Sequence, residues 1–309
     1  MPLHIETPLI ASDSLSQAAG RRIRLKLDNL QPSGSFKIRG IGAACKAHAR
    51  TGKRRFVSSS GGNAGIAVAY AGRCLSVPVV VVVPETTTER ARALIRAQGA
   101  ELVVHGAAWH EAHALAQSLL GEEDAFLHPF DDPLLWQGHA TLIDEVAAAG
   151  TKPDAIVLSV GGGGLFCGVV EGLRRNGWQD VPIVAAETAG ADALARSLAA
   201  NERIALDAIT SIATSLGARQ VCKHAFTLAQ QHPVRPAVVS DQAAVQACER
   251  FLDDHRMLVE PACGASLAVA YGQAGALADA ADVLVVVCGG VTATAQQLHQ
   301  WHAALDANP

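Results

Sequence analysis

Residues 56–83 read FVSSSGGNAGIAVAYAGRCLSVPVVVVV. A short β-branched run, Phe56 to Ser58, enters a Ser/Gly turn, an Ala-rich helical stretch begins near Asn63, and Val79 to Val83 stand between Pro78 and Pro84. An apolar run this short cannot span a bilayer and fits a strand buried on both faces. Strand, helix and strand in this order form a βαβ unit, whose right-handed crossover makes a parallel sheet.

The alternation extends in both directions. Further strands are predicted at Leu102 to His105 and Ala125 to Leu127, with helices beginning near Thr88 and Trp109. A second series follows: a helix from Pro133 to Ala149, then strands Ala155 to Val160, Ile183 to Glu187, Ala237 to Val239 and Val283 to Val287, with helices between and after. The expected class is α/β, with two doubly wound parallel-sheet domains. No Ser/Gly-rich or Pro-rich linker separates the series. The smaller domain is placed at residues 40–132, inserted between residues 1–39 and 133–309, which make the larger one. The segment Asn201 to Arg219 carries too weak a pattern to assign, and no internal repeat is evident.

Half of the 309 residues are hydrophobic but only 4% are aromatic, so Ala, Val, Leu and Ile must build the core. That palette suits parallel sheets covered by Ala-rich helices. A formal net charge of -4 without long basic runs argues against nucleic acid or an anionic membrane as partner and favours a small molecule. The N-terminal MPLHIETPLIASDSL has no basic lead before an apolar block, so no secretory signal is expected. The seven cysteines are scattered, odd in number and without a CxxC pair. Reduced thiols, a cytoplasmic location and no zinc site are the expectation.

Four stretches carry the chemistry. In Gln31 to Gly40, QPSGSFKIRG, Pro32 and Gly34 shape a tight turn that delivers Phe36 and Lys37 to the start of a helix through Ala49. A lysine held this way can form a Schiff base with a carbonyl, although an ordinary turn with a solvated lysine fits the same residues. Ser159 to Leu165, SVGGGGL, joins a strand to a helix; converging N–H groups there suit a phosphate, while close helix packing accounts comfortably for only some of the glycines. The run lacks the Lys-Ser/Thr of a P-loop and the spacing of GxGxxG. Ser58 to Gly65, SSSGGNAG, is another strand-to-helix turn, fit for a carboxylate or for simple N-capping by Ser60 or Asn63. Cys288 closes the last predicted strand, where open α/β sheets place ligands, but it also fits a small buried hydrophobe. His105, His110 and His113 read as a solvated helix without metal-site context, and Glu85, Glu89, Arg90, Arg92 and Arg96 as helix-start and surface charges.

An amine, a phosphate cradle, a carboxylate pocket and a cysteine at a sheet end together suit pyridoxal phosphate. The chain resembles the serine/threonine dehydratases among the fold type II, tryptophan-synthase-like pyridoxal phosphate enzymes, nearest the cytosolic serine dehydratases. The likeness runs through PSGSFKIRG at Pro32, SSGGNAG at Ser59, HPFDDPLLWQGHATL at His128, SVGGGGLFCGVVEGL at Ser159, Glu187 to Gly190, VEPACGA at Val259 and CGG at Cys288. It implies Lys37 as the Schiff-base lysine, Phe36 against the pyridine face, Asn63 at the ring 3′ oxygen, and Cys288 at the ring nitrogen. It further implies Gly161, Gly162, Gly163, Gly164 and Leu165 at the phosphate, and Ser60, Gly61, Asn63 and Ala64 at the substrate carboxylate. Glu187, with backbone oxygens near Ala191, Leu216 and Ala218, falls where relatives hold a monovalent cation, commonly potassium.

The implied activity is β-elimination on L-serine and L-threonine in a homodimer. Serine racemase, β-replacement and a low-turnover regulatory protein that binds the cofactor are the alternatives. Ser60 would be the opposite-face acid of a racemase. No Asp or Glu in the matched motifs lies near the leaving hydroxyl, which leaves the cofactor phosphate to protonate it. Nothing after the last helix resembles the regulatory domain of biosynthetic threonine deaminases, so isoleucine feedback is not expected. Three departures stand out: Val291-Thr292-Ala293-Thr294 where relatives carry Ser or Asn, Gln137 where many have Glu, and Gly61, expected to widen the carboxylate pocket where relatives have Ala.

Overall fold

The computed structural model describes residues 1–272 and 275–307. The chain opens with β1 (Leu9–Ala11), α1 (Asp13–Ala19) and β2 (Arg22–Lys26), and after a 3-10 turn at Asp28–Leu30 reaches α2 (Lys37–Arg50). Then come β3 (Arg55–Ser58), α3 (Asn63–Leu75), β4 (Val79–Val83), α4 (Glu89–Ala97), β5 (Glu101–Val104), α5 (Trp109–Ser118) and β6 (Asp124–Phe126). Helix α6 (Pro133–Ala148) leads to β7 (Ala155–Ser159), α7 (Gly164–Arg175), β8 (Ile183–Thr188), α8 (Ala193–Ala200) and α9 (Lys223–Gln231). The last elements are β9 (Val234–Val239), α10 (Asp241–His255), α11 (Pro261–Gly272), β10 (Asp282–Val286) and α12 (Ala295–Asp306).

Two sheets result, a four-stranded one in the order β5-β4-β3-β6 and a six-stranded one in the order β1-β2-β10-β7-β8-β9. The all-valine β4 is interior to its sheet and buried along its whole length, as is β7 in the other. Strand β9 lies at an edge, and its Pro236 is exposed, where a missing N–H costs no ladder bond. Every pairing is parallel except β1 with β2, so the larger sheet is mixed. Strands β1 and β2 escaped the sequence reading because β2 is RIRLK, and its basic residues masked a strand that the fold nonetheless buries at Lys26.

Residues Asn201 to Arg219, unassigned from sequence, are irregular apart from a 3-10 turn at Thr214–Leu216. They are nevertheless pinned. The Asp241 carboxylate accepts from Ser211 Oγ at 2.5 Å and from the Ile212 N–H at 3.0 Å, and Arg219 donates to the Leu206 carbonyl at 2.7 Å.

Helix α2 connects the two halves. Its Ile38, Ile41, Ala44 and Cys45 enter the hydrophobic cluster of the smaller sheet together with Leu135 of α6. The crossing of α2 and α6 is close because both helices carry glycine there: a Cβ on Gly138 would stand 2.7 Å from Gly40 Cα, and one on Gly40 would stand 2.7 Å from the Leu135 carbonyl oxygen. Beside this crossing lies a buried charge cluster. Arg39 donates to Asp28 at 2.7 and 2.9 Å and to Glu145 at 2.6 and 2.8 Å, and Lys26 pairs with Glu145 at 2.5 Å.

Candidate active site

The turn before α2 is zipped to the end of β10. Gly34 N–H donates to the Gln31 carbonyl at 2.7 Å, Gly34 has φ +79°, Ser35 bridges Gly289, and Phe36 N–H donates to the Cys288 carbonyl at 2.9 Å. Lys37 and Cys288 are therefore brought together by backbone hydrogen bonds. Lys37 Nζ donates to the Pro129 carbonyl at 2.6 Å and lies 5.1 Å from the Phe36 ring centroid. The Pro129 carbonyl is itself held in place by the HPFDDP motif: His128 Nδ1 accepts the N–H groups of Phe130 at 3.2 Å and Asp131 at 2.8 Å, and Asp132 caps α6. The behaviour expected of a freely solvated lysine is absent.

Burial lowers the pKa of Lys37 from its ordinary 10.5 to about 8, against the raising pull of Cys288 and Glu260. A hydrogen bond to Cys263, together with burial, pushes the Cys288 thiol well up, so it is neutral at physiological pH. The lysine shift makes a prediction for the cofactor-free protein. Between about pH 8 and 10.5 the unfolded chain holds a proton on Lys37 that the folded chain has released, so stability rises with pH across that window. Urea midpoints measured below and within the window should show the rise in the parent and a smaller one in Lys37→Met. Equal slopes in the two proteins would contradict the assignment.

Two helices that face the site start without a side-chain cap. Gly62 precedes α3 and Gly163 precedes α7, and neither receives a capping side chain. Neither Ser60 nor Asn63 serves as the N-cap; their alternative reading falls away, and the first-turn N–H groups of both helices are left for an anion. The glycine run behaves differently from the sequence expectation. A Cβ on Gly161 would stand 2.9 Å from Leu216 Cα, one on Gly162 would overlap the Phe130 ring, one on Gly163 would overlap Ala225, and one on Gly164 would stand 2.8 Å from the Phe130 carbonyl oxygen. Only Gly163, at φ +94°, needs left-handed backbone. Close packing thus accounts for all of them, and the case for a phosphate rests on the uncapped helix start.

Gly162→Ala should therefore weaken cofactor binding by roughly 10- to 100-fold, the cost of overpacking a rigid contact. Phe130 cannot withdraw freely, since its carbonyl accepts from Trp136 Nε1 at 2.9 Å. Equilibrium dialysis of the cofactor would measure the loss, and adding Phe130→Leu should restore part of it. Unchanged affinity in the single variant would refute the packing argument.

Asn63 is buried, and its Nδ2 donates to Glu260 at 2.6 Å and to Ser215 at 3.4 Å. The second carboxylate oxygen of Glu260 accepts from Thr292. Glu260 is 4% exposed and its charge is felt by both Lys37 and Cys288. The sequence reading missed it, although it stands in VEPACGA; a lone Glu beside proline carries no local signal of where its carboxylate points.

Gly61 does not leave the pocket wider. A Cβ there would stand 2.6 Å from Thr87 Oγ1, so the β4–α4 loop fills the space. Ala64 is buried beside it at the start of α3. His113 is likewise no solvated residue: its Nδ1 lies 3.0 Å from Ser59 Oγ and its ring stacks on Trp109 at 4.7 Å. Arg90 is exposed, as expected of a surface charge, and also donates to the Val291 carbonyl at 2.9 and 3.2 Å. Glu89 keeps a surface role, pairing with Arg96 at 2.8 Å, and Gln137 is exposed.

Glu187 is buried, and its carboxylate accepts the N–H groups of Leu194 at 2.9 Å and Ala195 at 2.7 Å, at the start of α8. Burial pushes its pKa up to about 8 despite those two donors. The Leu216 carbonyl accepts the Ala218 N–H at 2.8 Å. All seven cysteines are unpaired, with Cys167 and Cys222 sulfurs 3.9 Å apart.

The family described as pyridoxal-phosphate dependent enzyme matches residues 1–289. The chain belongs to that family. Its cofactor is pyridoxal 5′-phosphate, and its fold is that of the fold type II enzymes. The residues present fit the group: an amine of lowered pKa for the aldehyde, an uncapped helix start for the phosphate, and buried Asn63 Oδ1, Ser35 Oγ and Ser159 Oγ without hydrogen-bond partners. Among curated relatives, the L-serine dehydratase/L-threonine deaminase of Mus musculus is 46% identical over 99% of this chain and 97% of its own. A serine dehydratase-like protein of Mus musculus is 49% identical over 97% and 94%. Among solved structures, a fungal L-serine ammonia-lyase from Rhizomucor miehei gives a TM-score of 0.93 at 37% identity, covering 98% of this chain and 99% of that one. Maize serine racemase gives 0.89 at 25% identity, covering 99% and 94%.

Proposed function

We propose that this pyridoxal-phosphate enzyme is an L-serine dehydratase that also takes L-threonine, giving pyruvate or 2-oxobutyrate and ammonia. The observation that carries the reading is the pairing, through the Phe36 N–H and the Cys288 carbonyl, of the Lys37 amine at the start of α2 with a buried thiol at the end of β10. When bound, pyridoxal phosphate supplies an aldehyde that takes the substrate amino group and a ring that withdraws electrons from Cα. Lys37 Nζ then takes the Cα proton, a task suited to an amine that sheds its own proton near working pH. Cys288, kept neutral, does not hold a proton firmly on the ring atom it faces, which favours loss of the β-hydroxyl over return of the proton to Cα.

Phe36 would lie against the ring and Asn63 would meet the 3′ oxygen; in the structure the Asn63 Nδ2 donates to Glu260. Gly161, Gly162, Gly163, Gly164 and Leu165 present the start of α7 to the phosphate. Ser60, Gly61, Asn63 and Ala64 present the start of α3 to the substrate carboxylate. Residues 40–132 form the smaller domain that closes on residues 1–39 and 133–309. Glu187, with the carbonyls near Ala191, Leu216 and Ala218, takes a potassium ion, whose charge would offset the burial of that carboxylate. The enzyme works as a homodimer in the cytoplasm, a setting in keeping with its unpaired thiols; among the described residues no helix is long and apolar enough to cross a membrane.

A coupled assay for 2-oxo acids on L-serine and L-threonine, with and without potassium, tests the reading, and chiral analysis of the recovered serine separates it from racemisation. Accumulation of D-serine faster than pyruvate would overturn it. Cofactor binding without turnover of either amino acid would favour the regulatory alternative.

A further inference from the structure

We propose that Arg90 is a positioning residue that clasps the β4–α4 loop across the mouth of the site; the kinetic part of this rests on the dehydratase reading above. Arg90 stands in the first turn of α4, on the smaller sheet, yet its Nη2 and Nε donate to the Val291 carbonyl at 2.9 and 3.2 Å. Val291 follows Cys288 by three residues, in a segment tied to the turn before α2. Ser35 bridges Gly289, Gly290 N–H donates to the Gly34 carbonyl at 3.3 Å, and the Val291 side chain fills the space a Cβ on Gly34 would need. Thr292 binds Glu260, which in turn binds Asn63.

Two links therefore cross from the smaller sheet to this one segment. The Asn63–Glu260–Thr292 link lies inside the site, and the Arg90–Val291 link lies at its rim. Three residues before Arg90, Thr87 covers Gly61 in the loop assigned to the substrate carboxylate. Anchoring Arg90 to a segment bonded to the α2 turn holds Thr87 over Gly61. A guanidinium can give two N–H groups to one carbonyl, which a neutral or shorter side chain at this position cannot. The helix does not need the contact for its own stability, because Thr88 caps it.

The test compares Arg90→Ala, Arg90→Lys and, as a control on the same helix, Arg96→Ala, all as holoenzymes. Hydrogen exchange of the amides in residues 84–90 should speed up by roughly five- to tenfold in Arg90→Ala, the loss of a charge-assisted contact at an exposed position. The KM for L-serine should rise by a similar factor with kcat within about twofold, the signature of lost binding without loss of chemistry. Arg90→Lys should recover part of both effects, and Arg96→Ala should match the parent. Exchange unchanged in Arg90→Ala, or a fall in kcat with KM unchanged, would overturn the clasp. A parent enzyme that does not turn over L-serine would sink the dehydratase reading alone, since the exchange result still decides the clasp.

Discussion

Lys37→Ala is expected to lower turnover by at least roughly 10²- to 10⁴-fold, the usual contribution of a positioned general base, and to abolish the adduct that borohydride traps on the parent enzyme. The protein should still fold, because Lys37 opens α2 and donates one hydrogen bond, to the Pro129 carbonyl. Cofactor should still bind without covalent attachment, held at the start of α7. Peptide mapping of the reduced parent should find the label on the peptide that contains Lys37. A variant retaining a tenth of parental turnover, or a label on another peptide, would remove the amine from the centre of the mechanism.

The second large effect concerns stability. Asp28→Ala is expected to destabilise the cofactor-free protein by about 3–5 kcal/mol, read from denaturant midpoints, because it leaves Arg39 buried with half its partners gone. Asp28 and Arg39 are each 0% exposed, and the Asp28 carboxylate accepts from Arg39 Nε, Arg39 Nη2 and Thr7 Oγ1 at 2.7, 2.9 and 2.7 Å. The double change Asp28→Leu/Arg39→Met keeps Glu145 paired with Lys26 and should cost less than either single change. A loss below about 1 kcal/mol for Asp28→Ala would mean that water reaches the cluster. The cluster also bears on function: Arg39 lies two residues after Lys37 and ties α2 to the Asp28 turn and to α6, so loosening it should broaden where the amine sits.

Much of this molecule was legible in the linear chain wherever the signal was local. The parallel strands from β3 to β10 announced themselves as β-branched runs, and their helices as Ala-rich stretches of the right length; the boundaries moved by a residue or so, with β9 beginning three residues earlier, at Val234. What failed was what depends on distant partners. Strand β2 hid behind its basic residues because Lys26 owes its burial to Glu145, more than a hundred residues away. Arg90 is the exposed charge its neighbours suggest, but its acceptor, a carbonyl 201 residues on, has no local signal.

The site divides the same way. Lys37, the glycine run and Cys288 could be singled out from their neighbours in sequence, since turn geometry and helix starts are short-range properties. Glu260, Thr87 and the Pro129 carbonyl could not, because a side chain or carbonyl acquires its role only from what the fold sets opposite it. The order of the residues determined the α/β class, the helix carrying the amine and the glycine-rich loops before α3 and α7. Packing alone decided that the amine lies against Pro129, that Asn63 answers to Glu260 and that Thr87 closes over Gly61, because each of those contacts joins segments that only the assembled sheets bring within hydrogen-bonding or van der Waals reach.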